Sequence, residues 1–273
     1  MTTLADIIKP ARKTAIVDVG ACPSDTHPPY RTMLEMGLCS VIGFEPNPDA
    51  LTMLRDRATV NETYLHHVVG IGGPPRPFHL YYAHHMNSLL RPDTAALSAF
   101  TKFDEWGELR ETITVDTTPL DAIPEITDVD MLRMDAQGAE LEILAPGGRC
   151  LANTVAVVTE VAWVPLYERQ PTFGHVDLTM RRLGFVPHCF VEAKVWPITC
   201  GSLLPAYDPH QLLESDIMYV RDFTRQMEPE QWKQLAMISH YVAGSMDLTM
   251  RCIHALGDPA AKQAYIKLLG DEA

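Results

Sequence analysis

The sequence predicts an α/β protein built on a doubly wound, mostly parallel sheet. Apolar runs of strand length alternate along the chain with segments of helical character, which is the pattern of βαβ units. The runs are nearly unbroken in their apolar residues, as strands covered on both faces require. Four of them end in or near an acid: Asp18, Glu45, Asp135 and Glu160. Since ligands of such sheets bind outside the carboxyl ends of the strands, the four acids predict a ligand crevice there.

The predicted elements follow one another along residues 15–220. The first half of the chain has strands over 15–21, 40–46, 64–70, 78–82 and 111–116, and helices over 29–37 and 49–58. Asn47 caps the second of these helices and Pro48 takes its first turn. The second half has strands over 130–135, 153–160 and 215–220, and a helix gives way to a further strand within 181–185.

Residues 222–273 are predicted to form a C-terminal helical appendage to a domain of residues 1–221. Four apolar side chains share one face of its first helix: Trp232, Leu235, Met237 and Ile238. Such a stripe serves core packing more often than it serves an interface. A homodimer through these helices is the alternative.

The composition excludes several classes of partner. The 273-residue chain has a formal net charge of -13, so that phosphate backbones and anionic membrane surfaces would repel it. No apolar run approaches the length of a membrane span, and residues 1–10 lack the apolar core of a signal peptide. The six cysteines form no CxxC pair. We therefore expect a cytoplasmic protein with reduced thiols and no nucleic-acid partner.

The turn after the first strand narrows the choice of cofactor. The chain continues from Gly20 as Ala-Cys-Pro-Ser-Asp, without the GxGxxG pattern that would cradle a dinucleotide's pyrophosphate. This argues against NAD or FAD and fits a cofactor without phosphate, such as S-adenosylmethionine. Glu45, at the end of the second strand, is placed where an acid binds a cofactor's ribose.

Four blocks of this sequence resemble the FkbM family of S-adenosylmethionine-dependent methyltransferases. In order they read "AIVDVGA", "VIGFEPNPDAL", "DMLRMDAQGAELEIL" and "VVTEV", and "WVPLYERQPTFGHVDLTMRRLGF" resembles a later block of one bacterial branch. The resemblance covers residues 15–220. It implies a Rossmann-like class I methyltransferase fold and O-methylation of a hydroxyl on a sugar, glycan or natural-product acceptor.

The resemblance also implies roles for individual residues around the cofactor. Asp18, Val19 and Gly20 would line its methionine side, and Glu45 would bind the ribose. The remaining contacts would come from Pro46 and Asn47 near the adenine, Gly70 near the adenosine, Asn87 and Ser88 after the third strand, and Asp135 and Ala136 beneath the methyl group.

Asp135 and Glu160 are the pair expected to do the catalysis. Methyl transfer requires an acceptor oxygen in line with the methyl group and a base that takes the hydroxyl proton. The two acids are candidates for that base, or for a site that binds a divalent cation such as Mg²⁺. The chain departs from the family at Cys22-Pro23-Ser24 in the first turn and at Gln137, where the family has Glu.

Simpler interpretations stand beside these. Asp135 could only cap the following helix, and Glu45 and Glu140 could be ordinary acids at helix starts. His66 and His67, in a predicted strand, are expected to be structural.

Two segments, 84–110 and 192–214, are expected to form the acceptor pocket or its lid. Their aromatic residues Trp106, Trp196 and Tyr207 could stack on a sugar, and His84-His85 lies in a loop where a base contact is an alternative. At the level of the whole protein, an inactive cofactor-binding scaffold and an NAD-dependent oxidoreductase remain as other functions.

Overall fold

The computed structural model describes residues 2–23, 27–199 and 208–272 of the chain. Its strands are β1 Thr14–Val19, β2 Cys39–Phe44, β3 Glu62–Leu65, β4 Val68–Val69, β5 Arg76–Tyr81, β6 Leu109–Val115, β7 Thr117–Thr118, β8 Met131–Met134, β9 Ala156–Ala162, β10 Phe185–Trp196 and β11 Gln211–Arg221. Its α-helices are α1 Leu4–Ile8, α2 Arg31–Glu35, α3 Pro48–Arg57, α4 Thr94–Ser98, α5 Phe103–Trp106, α6 Glu140–Leu144, α7 Gly148–Asn153, α8 Phe173–Arg182, α9 Pro229–Tyr241, α10 Met246–Ala255 and α11 Pro259–Glu272.

Seven of the strands form one mixed, mostly parallel sheet in the order β10-β11-β9-β8-β1-β2-β3. The five strands from β9 to β3 run parallel, and β11 is antiparallel to both of its neighbours. The chain leaves β1 toward β2 on one side and later returns to β8 on the other. The predicted doubly wound α/β class is confirmed, and its topological switch point lies between β1 and β8.

The C-terminal helices form a layer on one face of this sheet. Strand residues such as Ile16 and Met131 share a buried core with Leu235 and Ile238 of α9, and α2 contributes only one turn of helix to that face. A separate core with Ile143 and Met180, from α6 and α8, covers the opposite face. The C-terminal helices thus complete a sheet face that α2 is too short to cover.

The apolar stripe of α9 is used within the chain itself. All four of its predicted members, Trp232, Leu235, Met237 and Ile238, are buried. Polar bonds reinforce this packing, because the Thr14 hydroxyl donates to Gln234 Oε1 over 2.7 Å in a buried contact. Core packing is therefore the role that the structure gives these residues.

One predicted strand is interrupted in the structure. The strand predicted over 64–70 is interrupted at His66 and His67, which lie between β3 and β4. Their rings instead make structural hydrogen bonds, His66 Nε2 to the Pro46 carbonyl at 2.9 Å and His67 Nδ1 with Thr118 Oγ1 at 3.2 Å. The two ends of the stretch expected to form a pocket or lid over 192–214 are strand, since β10 runs to Trp196 and β11 begins at Gln211, and residues 200–207 lie outside the described part of the chain.

The remaining strands lie apart from the main sheet. β5 pairs with β6 in an antiparallel two-stranded sheet, and β4 pairs with β7 in a short parallel one. None of the helices in the described part of the chain is both long and apolar enough to cross a bilayer.

Candidate active site

Charged residues collect on one sheet face, at the carboxyl ends of the central strands. On that face the strands begin with apolar residues such as Ile16 and Val158, which pack under the C-terminal helices. Two residues further along, the same face presents Asp18 on β1 and Glu160 on β9, both buried. Along each of these strands, the side chains on this face thus change from apolar core residues to charged site residues within two positions.

The turns after β1 and β8 touch at the switch point. Gly20 has a positive φ of 84°, and a Cβ added there would lie 2.1 Å from the backbone oxygen of Asp135. The Asp135 N–H donates to the Val19 carbonyl at 3.0 Å, and the Gly20 N–H donates to the Phe44 carbonyl at 3.1 Å. Gly20 is therefore required for the close approach of two backbone turns.

Asp18 is fully engaged by side chains that the sequence reasoning missed. Arg133 donates to its Oδ1 at 2.8 Å, and the Tyr30 hydroxyl donates to its Oδ2 at 2.5 Å. Arg133 also donates to Asp135 Oδ2 at 3.2 Å, so that the guanidinium joins two of the predicted acids. The sequence signal for these contacts is Arg133 itself, which is a charged residue inside an otherwise apolar predicted strand.

Gln137 connects Asp135 to Glu160. Its amide nitrogen lies 3.1 Å from Asp135 Oδ1 and 2.8 Å from Glu160 Oε2. The Tyr167 hydroxyl, which has one proton, lies 2.9 Å from both Gln137 Oε1 and the Met86 carbonyl oxygen and so shares that proton between them. Gln137 itself has a φ of 50°, in the left-handed region. The turn after β8 is therefore shaped to present this amide to both carboxylates.

Glu140 closes the same turn from the first residue of α6. Its Oε1 accepts the N–H groups of Ala136 at 3.1 Å and Gly138 at 3.2 Å. Burial raises its pKa to about 7, although these backbone bonds oppose the shift. Its contacts are those of an acid that stabilises a turn, as the simpler interpretation of the sequence had it.

Lys194 on β10 pairs with the buried end of Glu160. Its Nζ lies 3.0 Å from Glu160 Oε1 and 3.7 Å from Glu214 Oε2. Burial raises the pKa of Glu160 well above its usual range, and the Glu214 and Asp135 charges add to that rise while Lys194 opposes it. Burial would lower the pKa of Lys194, but the carboxylates around it outweigh this and raise it. Lys194 is therefore the counter-charge of this acidic group.

Asp135 and Glu160 do not fit the predicted divalent-cation site. Each of their four carboxylate oxygens already faces a donor, from Arg133, Gln137 or Lys194. A metal ion needs those oxygens as ligands, and the ammonium group of Lys194 would repel it. Within the residues that the structure describes, no group of three or more His, Cys, Asp or Glu side chains is arranged to hold a metal.

Glu45 is a nearly buried acid at the end of β2. It follows β2 directly, is 7% exposed, and accepts the Asn47 N–H on Oε1 at 2.6 Å. Among the described residues, the Asn47 N–H is the donor that the carboxylate meets. Burial raises its pKa to about 7, against the effect of the Asn47 bond. A nearly buried acid directly after the second strand stands where the sequence predicts a partner for a ribose hydroxyl.

The other predicted cofactor residues make contacts of different kinds. Asn47 caps α3 as predicted, accepting the N–H groups of Asp49 and Ala50. Gly70 packs against Thr117. Asn87 Oδ1 accepts the Tyr81 N–H at 2.9 Å, and the buried Ser88 hydroxyl donates to the Gln137 carbonyl at 2.7 Å. The last two bonds fix loop and turn backbone, while Val19, Pro46 and Ala136 extend the strand ends beside Gly20, Glu45 and Asp135.

The two segments predicted to form an acceptor pocket meet in an aromatic group. The rings of Trp106 and Trp196 lie 5.5 Å apart, and His85 contacts Trp106 edge to face at 5.6 Å. Backbone bonding joins the segments as well, since the Thr199 N–H donates to the Ala99 carbonyl at 2.8 Å. Tyr207 and Ser24 lie outside the described residues. Trp106, Trp196 and His85 together are referred to below as the aromatic wall.

Comparison with known proteins identifies the family of the chain. The family model described as "Methyltransferase FkbM domain" matches residues 18–187, more than half of the chain. Among solved structures, precorrin-6y C5,15-methyltransferase from Geobacter metallireducens GS-15 is similar at 14% identity and a TM-score of 0.35, covering 80% of this chain and 85% of its own. No curated protein sequence matches the chain. The extent of the family match shows that this chain belongs to the FkbM family of S-adenosylmethionine-dependent methyltransferases.

Proposed function

We propose that this methyltransferase acts on a hydroxyl group of a small polyhydroxylated acceptor such as a sugar, a glycan or a natural product. The observation that carries the proposal is the Asp135–Gln137–Glu160 bridge, which holds Asp135 rigidly at the switch point. The Asp135 side chain is 30% exposed, whereas Glu160 is buried. Asp135 is therefore the acid that an acceptor can reach.

The residues that would hold S-adenosylmethionine are those at the ends of β1 and β2. Glu45 would offer its carboxylate to the ribose, Pro46 and Asn47 would border the adenine, and the backbone of Gly20 would border the methionine part. Bound there, the cofactor supplies a methyl group on a positively charged sulfur. The carboxylates of the site favour that charge.

Asp135 has the role of orienting the acceptor. One lone pair of its carboxylate, beside those used by Arg133 and Gln137, can accept a hydroxyl proton in a hydrogen bond and so fix the acceptor oxygen. Glu160 does not contact the acceptor itself, because its two oxygens are bonded to Gln137 and Lys194, and it acts by holding these two side chains in place. We therefore assign Glu160 a positioning role in place of the base role expected from the sequence.

The aromatic wall is the proposed side of the acceptor pocket. Sugar rings present C–H groups on their faces, and indoles are flat apolar surfaces that cover them well. Trp106 and Trp196 are both half-buried, so part of each ring is open to a ligand. Polar groups at the switch point and indoles beside it suit an acceptor with many hydroxyls.

A methyl-transfer assay tests this function. The protein is incubated with isotopically labelled S-adenosylmethionine and panels of sugars, polyols, amines and thiols, and the methylated atom is identified by NMR. We expect an O-methyl product, and Asp135→Asn should lower kcat/KM by about 100-fold. Asp56→Asn, which changes an exposed acid on α3, is the matched control and should leave the rate unchanged.

Other results would overturn the proposal. Methylation of nitrogen or sulfur acceptors alone would assign a different acceptor class. Tight S-adenosylhomocysteine binding in a calorimetric titration, with no transfer to any acceptor, would favour the inactive scaffold.

A further inference from the structure

We propose that His85 is the general base that takes the proton from the acceptor hydroxyl. This inference rests on the O-methyl transfer proposed above and adds to it a residue from outside the strand ends. His85 lies in a 3₁₀ turn over His84–Met86, between β5 and α4. Four observations support the assignment.

First, the segment that bears His85 is fastened to the Gln137 turn. The carbonyl of Met86, the next residue, lies 2.9 Å from the Tyr167 hydroxyl that also contacts Gln137 Oε1. The Ser88 hydroxyl donates to the Gln137 carbonyl at 2.7 Å. Met86 is buried, so the turn is anchored on its inner side. His85 is thereby held beside the turn that carries Asp135.

Second, the imidazole ring is oriented and still accessible. Its contact with Trp106 is edge to face, with the ring planes at 79°. The residue itself is exposed, so a proton can pass from the imidazole to solvent after each turnover. The ring therefore forms the polar part of an otherwise apolar acceptor wall.

Third, the surrounding groups favour a neutral imidazole. The titratable and charged groups that act on it are Lys194 from β10, Asp135 after β8 and His84 in its own turn; Trp106 on α5 carries no charge. The residue is exposed as a whole, but the protein around its ring partly desolvates the imidazole and lowers the pKa of His85; Lys194 and His84 lower it further, and Asp135 opposes them. A neutral imidazole is the form that can accept a proton near pH 7.

Fourth, the carboxylates are poor alternatives for this step. Both oxygens of Glu160 accept hydrogen bonds, and Asp135 is held by Arg133 and Gln137. Each of these oxygens already faces a donor where the acceptor proton would have to go, and Glu160 is buried as well. Asp135 can orient the acceptor, but the proton needs another destination.

In the proposed step, the acceptor proton moves to His85 as the methyl group moves to the acceptor oxygen. The acceptor O–H bond breaks and its proton forms an N–H bond on the His85 ring, while the electron pair stays on the oxygen. That pair bonds to the transferred methyl carbon, and the pair of the broken carbon–sulfur bond stays with sulfur. His85 then returns its proton to solvent.

The test compares His85→Gln with His84→Gln, its exposed neighbour in the same turn. We expect His85→Gln to lower kcat by about 100-fold or more while calorimetry gives an unchanged affinity for S-adenosylhomocysteine. His84→Gln should stay within about twofold of the wild-type rate. Added imidazole should restore part of the activity of His85→Ala.

The pH profile separates a base from a merely structural residue. At saturating S-adenosylmethionine, which removes the effect of Glu45 on cofactor affinity, the wild-type kcat/KM for the acceptor should fall with unit slope below a pH under the ordinary histidine pKa of about 6.5, since the imidazole must be neutral. His85→Gln should lose this limb. If the wild type makes no O-methyl product, the proposed function fails. If it makes one, the inference is overturned by unchanged kcat and pH profile in His85→Gln, or by losses that follow its stability or cofactor affinity.

Discussion

The side-chain amide of Gln137 donates to Glu160 Oε2 over 2.8 Å and so joins the turn after β8 to the end of β9. The same nitrogen reaches Asp135 Oδ1 at 3.1 Å. An amide has two N–H donors and no negative charge. A group placed between two neighbouring carboxylates must donate to both without adding to their repulsion, and an amide does so. Gln137 departs from the family pattern, but here it is the group that makes a close carboxylate pair stable.

Replacing Gln137 by Glu should therefore destabilise the protein. A third carboxylate would face Asp135 and Glu160, and its pKa would be raised by their charges. The free energy of unfolding should fall by about 1–3 kcal/mol at pH 8. Less should be lost at pH 5.5, because an acid with a raised folded-state pKa destabilises only as pH rises through that pKa. Urea denaturation at both pH values measures this, with Gln226→Glu on the surface as control. Equal stability of Gln137→Glu and wild type at pH 8 would contradict the bridging role.

Lys194→Met should remove the counter-charge of the buried acids. Glu160 and Glu214 would lose their shared ammonium group, and the penalty should be about 2 kcal/mol, moderated because the Lys194 side chain is 32% exposed. The penalty should shrink at low pH, where Glu160 is protonated in both proteins, and grow as pH rises through its raised pKa.

Thermal denaturation across pH measures this effect of Lys194. Lys262→Met, on the exposed face of α11, serves as control. Because Lys194 already neutralises these carboxylates, we expect no metal ion to bind there. A chelator should therefore leave the calorimetric affinity for S-adenosylhomocysteine unchanged. A penalty independent of pH, or a Mg²⁺-dependent affinity in the wild type, would argue against this role.

The location of the site could be predicted from the sequence because parallel strands end at a common edge. Buried strands are recognisable from unbroken apolar runs, and Glu45 and Asp135 directly follow two of them. Asp18 and Glu160 lie one and two residues before a strand end, and side-chain alternation still brings them to the same face. Fold class and crevice thus follow from local patterns.

The connections between those acids could not be predicted in the same way. Lys194 reaches Glu160 only because β10 turns back beside β11 at the sheet edge, which depends on strand order and register. The role of Gln137 depends on a left-handed backbone conformation that its residue type does not announce. The apolar pattern continues past His66 and His67 and therefore predicts one strand there. In the structure, the hydrogen bonds of their rings stabilise an interruption between two strands.

Cofactor affinity should depend on pH through Glu45. Its pKa of about 7 means that a large part of the carboxylate is protonated at pH 6, and the protonated form accepts ribose hydroxyls less well. The Kd of S-adenosylhomocysteine should rise by about eightfold from pH 7.5 to pH 6, following the loss of the ionised form. Calorimetric titration across this range measures the effect. Glu45→Gln should bind weakly at all pH values without the trend, and Glu35→Gln, an exposed acid on α2, should keep it. A wild-type Kd that does not vary with pH would remove Glu45 from the ribose site.

Gly20→Ala should damage the switch point more than any other single methyl group added to a turn of the site. The new Cβ would meet the Asp135 carbonyl at 2.1 Å, and the residue would need a φ of 84° that alanine rarely adopts. The strained backbone conformation alone costs about 1–3 kcal/mol, and the clash must be relieved by moving β1 away from the turn after β8. We expect a loss of at least about 3 kcal/mol in urea denaturation and a loss of S-adenosylhomocysteine binding. Gly174→Ala is the matched control: Gly174 lies in α8 with open space around its Cα, so alanine there should leave stability equal or raise it by up to about 1 kcal/mol. Equal stability of the two variants would mean that the turns after β1 and β8 do not approach as closely as the structure has them.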